Sequence, residues 1–207
     1  MPTGTMTSVI SIGSVSLQSS VSRTAAGEIS HEVSLPAAVA GTLSTRTSDT
    51  EGVFTLSGHD LAVNDVIDVY WDGGLRYGMK VTAVSGDDVT AGGIGGSGDE
   101  GAGDVLPDQG NSVNVDEQAA LDTDFDGDKV EMIVVMSTKR GHFDFQDSGG
   151  TSLEAGELTA YEPWQWVSAS GITNPLAGNP VDSLKLSNGD PGAEATVKVG
   201  VIYNSDQ

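Results

Sequence analysis

Apolar and polar residues alternate over short runs along most of this chain, and the runs are separated by turn residues. Within residues 51–115, Val53-Phe54-Thr55-Leu56 and Val66-Ile67-Asp68-Val69-Tyr70-Trp71 predict two strands. Tyr77, Met79, Val81 and Ala83 share one face of a third, with Asp72-Gly73-Gly74 turning the chain before it and Ser85-Gly86-Asp87-Asp88 after it. Val89-Thr90-Ala91 continues the meander, and Val113-Asn114-Val115 supplies a strand able to close it. Strands this short, with turns this frequent, predict a small barrel or meander.

Residues 116–207 predict a second β unit. Val130–Met136 is an almost unbroken apolar run, as expected of a buried central strand, and His142-Phe143-Asp144-Phe145 is a short one. Glu157–Tyr161 and Trp164–Val167 flank Pro163. Val181–Leu186 precedes a turn signal at Ser187-Asn188-Gly189-Asp190, and Val197, Val199, Val201 and Tyr203 line one face of a final strand. This pattern fits an antiparallel β-sandwich or jelly-roll-like unit. The one helix-like stretch is Asp116–Leu121.

Residues 1–50 differ from both. Nineteen of them are Ser or Thr. Val15, Leu17 and Val21 share a parity, as do Ile29, His31, Val33 and Leu35 before Pro36. Val39, Gly41 and Leu43 begin a further extended piece. Such a region is either a free arm or the first sheet of a sandwich, and an extended Ser/Thr-rich β arm is the favoured reading. The expected fold is therefore all-β: an arm over 1–50, a barrel-like domain over 51–115 with a Gly-rich loop at 92–104, and a sandwich over 116–207.

Charge sharpens this division. The chain carries a formal −21, yet residues 1–50 hold only Arg23 and Arg46 against Glu28, Glu32 and Asp49. A near-neutral arm preceding an acidic body suggests a surface that another chain covers. Clustered basic residues are missing, which argues against direct nucleic-acid contact. No run approaches the ~20 apolar residues of a membrane-spanning helix. The N-terminal Met-Pro-Thr-Gly-Thr-Met-Thr-Ser lacks the basic region of a signal peptide. Without cysteine, neither disulfides nor thiolate metal sites arise.

The best chemical candidate is Asp122-Thr123-Asp124-Phe125-Asp126-Gly127-Asp128, which matches the D-x-D-x-D-G opening of a calcium loop. The twelfth position, where a bidentate Glu belongs, is Ile133, and Glu131 lies two places early. Two readings stand: a calcium loop in a β context using Asp122, Asp124, Asp126, Asp128 and Glu131, or an acidic turn capping the Val130–Met136 strand. Calcium is the one cofactor considered. The G-x-G-x-x-G matches starting at Gly93 and Gly96 run into Asp99, Glu100 and Asp104, which repel phosphate. His31, His59 and His142 are scattered, so no catalytic or zinc constellation emerges. Trp164 and Trp166 share one strand face, suited either to the core or to stacking on a sugar or partner chain.

The Ser/Thr-rich arm, the acidic β domains, the Gly-rich loop and the absence of cysteine and of a catalytic core together resemble structural proteins of tailed-bacteriophage virions. The resemblance is one of overall style and includes no diagnostic motif. It implies a non-enzymatic assembly protein located in the virion, a homo-oligomer whose partners are other virion subunits. The first expectation is a capsid decoration (cementing) protein attached through its arm, with Val15, Leu17, Ile29, Val33 and Leu35 as contact residues. A tail tube or fibre subunit comes second, since tube subunits carry a helix against the sandwich. A carbohydrate-binding or adhesive module, using Trp164, Trp166 and the Asp122–Asp128 loop with calcium, is the third.

Overall fold

In the computed structural model, the backbone is described for residues 4–12, 15–23, 26–92, 100–168 and 171–204, and side chains from Glu28 onward except Glu100. Apart from 3-10 turns at Gly127–Lys129 and at Ser168, the regular structure of these residues is all strand. The chain divides into two units: Pro36–Ala119 with Ser187–Glu194, and Met1–Leu35 with Ala120–Leu186 and Ala195–Gln207.

The first unit is a six-stranded barrel. Its strands are β4 (Val39–Arg46), β5 (Gly52–Thr55), β6 (Val66–Trp71), β7 (Gly74–Ser85), β8 (Asp88–Ala91) and β10 (Ser112–Glu117). They run in the order β6-β10-β4-β5-β8-β7, and β7 pairs back onto β6 to close the ring; β9 (Glu100–Gly103) adds to β7. As the alternation demands, Ile67 and Val69, Met79 and Val81, and Val113 and Val115 point inward, where they join Leu43, Phe54 and Val89 in one buried cluster. A barrel of this size is filled by its own side chains and leaves no channel. Val113–Val115 closes the ring as the alternation predicts, bridging β4 and β6.

The second unit holds two four-stranded sheets. One runs β11 (Ala119–Asp126), β16 (Pro180–Asn188), β13 (Gly141–Gln146), β14 (Ser152–Leu158); the other runs β15 (Trp164–Val167), β12 (Val130–Ser137), β17 (Ala195–Asn204), β3 (Ala26–Leu35). The rings of Phe143 on β13 and Trp164 on β15 lie 4.7 Å apart and link the two sheets. Both faces of β12 are buried, which explains why its sequence is continuously apolar. β1 (Gly4–Ile12) and β2 (Val15–Arg23) pair with each other from Gly4↔Arg23 to Ile12↔Val15, without strand pairing to these sheets, although β1 comes close to β17.

Two expectations change. Residues 1–50 do not form one arm: β3 pairs along its whole length with β17, from Leu35↔Ala195 to Ala26↔Asn204, and β4 is a barrel stave. Their alternation looks like that of β1 and β2, and only distant partners distinguish them. Asp116–Leu121 is not helical either. It comprises the end of β10, Gln118, and the start of β11, because Asp116 and Glu117 are held in register by Asp68 and Ile67 of β6. Of the glycine-rich loop, residues 93–99, including most of the G-x-G-x-x-G matches, lie outside the described residues, while 100–103 form β9.

Candidate functional site

The predicted acidic loop is mostly a strand. Asp122, Asp124 and Asp126 occupy alternate positions of β11 and are exposed, while Thr123 and Phe125 between them are buried. Asp124, the middle one, adopts a left-handed φ of 34°, which interrupts the regular two-residue repeat of the strand. Asp126 caps the 3-10 turn by accepting from Asp128 N at 3.1 Å and lies 3.6 Å from Lys129 Nζ. Asp128 accepts from Gly178 N at 2.7 Å, and Glu131 accepts from the Ser168 hydroxyl. Gly127 is packed so closely that a Cβ there would lie 2.1 Å from the Leu176 carbonyl oxygen. Asp128 and the Gly127 backbone thus fasten the 174–180 loop beside a cleft of about 500 Å³ that also presents Phe125 and Tyr203. Among the described residues, no group of three or more His, Cys, Asp or Glu side chains is arranged to hold a metal ion.

The tryptophans are engaged. Trp166 is buried and donates its indole N–H to Ile172 O at 3.2 Å, and Trp164 is half-buried against Phe143. Ile29 and Val33 are half-buried opposite Val201 and Val197, and Leu35 is buried opposite Ala195. Val15 and Leu17 lie on β2, opposite Ile12 and Ile10, with side chains outside the described residues.

A polar cluster absent from the sequence expectations stands out on the outer face of the barrel. On β6 the outward residues are Asp68 and Tyr70; on β10 they are Asn114 and Asp116. The register sets Asp116 opposite Asp68 and Asn114 opposite Tyr70. All but Asn114 are buried, because the segment Ser187–Glu194 lies across them. Ser187 donates its hydroxyl to Asp68 and sits 2.6 Å from the Tyr70 hydroxyl. Asn188 N donates to Asp116 at 2.7 Å, and Asn114 Nδ2 donates to Gly189 O at 3.3 Å. The Asn188 amide adds bonds to Pro36 O and Ala193 O, and Ala38 N donates to Asp190 O. Gly189 is required by contact: a Cβ would sit 2.7 Å from the Tyr70 ring.

No protein-family model matches the chain, and no curated protein or solved structure is detectably similar to it. The residues therefore carry the reading alone. Asp68 lies where the β6–β7 register shifts, and its carboxylate accepts from Gly78 N at 2.8 Å and from Gln118 Nε2 at 2.7 Å. A bulge of this kind re-aims side chains. Burial pushes the Asp116 carboxyl up to about 7, and the charges of Asp68 and Glu117 add to that shift. The Asn188 and Glu117 backbone N–H groups oppose it. Glu117 is itself raised by burial and by Asp65 and Asp60. A cleft of about 350 Å³ beside Asp116 is lined by Asp60, Leu61, Glu117 and Gln118. The sequence signal for this cluster is Val66–Trp71, where both parities carry large apolar or aromatic residues, as in a strand covered on both faces.

Proposed function

We propose that this chain is a non-enzymatic structural subunit of a virion-like assembly, with β1 and β2 as its attachment element. One observation carries the reading: β1 and β2 form a two-stranded sheet that pairs with none of the larger sheets. A two-stranded hairpin is marginal in water and gains stability when a third strand or another surface packs on it. Its sequence is near-neutral while the rest of the chain is acidic, so contact with another subunit brings little charge repulsion to this element. Strand addition or face-to-face packing onto a neighbour supplies backbone hydrogen bonds and buried area together. Capsid decoration is the favoured role within this class.

The strand pairing sets the informative truncation. Removing residues 1–50 would delete β3 and β4 and open both a sheet and the barrel. Removing residues 1–25 deletes β1 and β2 alone. The full-length protein is expected to form discrete oligomers or to bind a particle lattice in negative-stain images and sedimentation. The 26–207 variant is expected to be folded, with cooperative unfolding near that of the parent, but monomeric and unbound. Equal assembly by the two proteins contradicts the reading. Trimers on a shell would support decoration, and stacked rings would move the subunit to a tail tube.

A further inference from the structure

The cleft beside Asp116 is formed within the barrel unit, and its volume of about 350 Å³ suits a small ligand. Part of its lining is apolar: Leu61 and Val115 are buried and Val39 is half-buried. The polar side chains are Asp60, Asp116, Glu117 and Gln118, and among the described residues no Lys, Arg or His lines it. Gln118 spends an amide N–H on Asp68 at 2.7 Å.

Asp116 is only 6 % exposed, yet it lines this open space. Its Oδ2 takes the Asn188 N–H at 2.7 Å, and apart from the adjacent Glu117 N–H no other described donor reaches the carboxylate. A carboxylate accepts about four hydrogen bonds, so capacity remains on a buried group at the cleft. Glu117 is held above its ordinary value by burial and then by the charges of Asp65 and Asp60. The acids here therefore already act on one another, and a cation among them relieves that repulsion.

These features select among ligands. Carboxylates repel anions, and among the described residues no three acids are arranged around a single metal ion. Positive charge on an aliphatic stem matches both the acidic and the apolar lining. We propose that the cleft binds a primary alkylammonium group, carried by a free amine or by a lysine side chain: Asp60, Asp116 and Glu117 receive the ammonium, and Val39, Leu61 and Val115 receive the stem. The Asn188 N–H fixes Asp116, and the Gln118 N–H bonds Val66 O at 2.9 Å, so both are placed before the ligand arrives. The site belongs to the barrel and its test involves no assembly, so it stands apart from the role of β1 and β2.

The test is an amide NMR titration of the full chain with n-butylammonium in phosphate buffer at pH 8, above the Asp116 value of about 7. Saturating shifts are expected at Leu61, Val115 and Gln118, with a Kd of about 1–10 mM, and much smaller ones at Asp122–Asp126 of β11. n-Butanol, the stem without the charge, and ammonium chloride, the charge without the stem, should each bind at least about tenfold more weakly. Asp60→Asn with Glu117→Gln alters two exposed residues and should weaken n-butylammonium binding by about tenfold or more. Equal shifts with ammonium chloride or n-butanol, equal shifts along β11, or unchanged affinity in the double variant would overturn the site. All but the last of these use the wild-type protein alone. Nα-acetyl-lysine N-methylamide separates the two sources, and both of its outcomes uphold the site. Affinity like that of n-butylammonium assigns the cleft to a lysine side chain, and absence of binding assigns it to free amines.

Discussion

Two groups of carboxylates in this molecule invite comparison. On β11, Asp122, Asp124 and Asp126 match a metal-loop motif yet line an exposed strand face. On β6 and β10, Asp68 and Asp116 match no motif, but they are buried cross-strand neighbours tied to the strap formed by Ser187–Glu194. Spacing in sequence singled out the first group; burial gives the second its chemistry. An exposed carboxylate in water costs little and does little. A buried one must be bonded or protonated, and its environment then responds to its charge.

The largest effect is expected at Asp68. Asp68→Ala leaves the Gly78 N–H, the Gln118 amide and the Ser187 hydroxyl without this acceptor, and should cost about 3 kcal/mol in urea denaturation. A loss below about 0.5 kcal/mol would show the cluster to be incidental. Next in size is the pH dependence. Asp116 has a folded value of about 7 against 3.8 for an ordinary Asp. Its protonated form is thus favoured by folding, and this stabilisation is complete below about pH 4 and is lost as pH rises through 7. Between pH 5 and 8 the barrel should lose about 2–3 kcal/mol through this group, and Asp116→Asn should abolish that loss. Gly189→Ala, which sets a methyl 2.7 Å from the Tyr70 ring, should cost about 1–2 kcal/mol. The smallest effect is expected on β11: Asp122→Asn with Asp124→Asn should change stability by under about 0.5 kcal/mol. Calcium or a chelator should leave the melting temperature in place, and an upward shift on calcium addition would restore a metal role to that row.

Much of the fold was legible because alternation reports which face a strand buries. Val66–Trp71 and Val113–Val115 read correctly as strands of the barrel, Met79 with Val81 as one buried face, and Val130–Met136 as a central strand, whereas Ala83, read on the Met79 face, is exposed beyond the irregularity in the β7–β8 pairing. What alternation does not report is the identity of the covering partner. The pairing of β3 with β17 spans almost the whole chain, so Ile29 and Val33 looked like arm residues. Asp68 and Asp116 occupied polar, outward positions, and the strap that buries them lies more than seventy residues downstream, in a stretch whose Asn188-Gly189-Asp190 chemistry reads as a plain turn. For the tryptophans the core was the simpler reading and a stacking platform the other, and Trp166 is indeed buried, with its indole N–H bonded to Ile172 O.

The most direct measurement is a side-chain carboxyl NMR titration of the wild-type protein, following Asp116 together with the Asn188 amide. Asp116 is expected to titrate near pH 7, and the Asn188 amide resonance to move with the same midpoint. An Asp116 titrating in the ordinary carboxylate range, with Asn188 indifferent to pH, would contradict it.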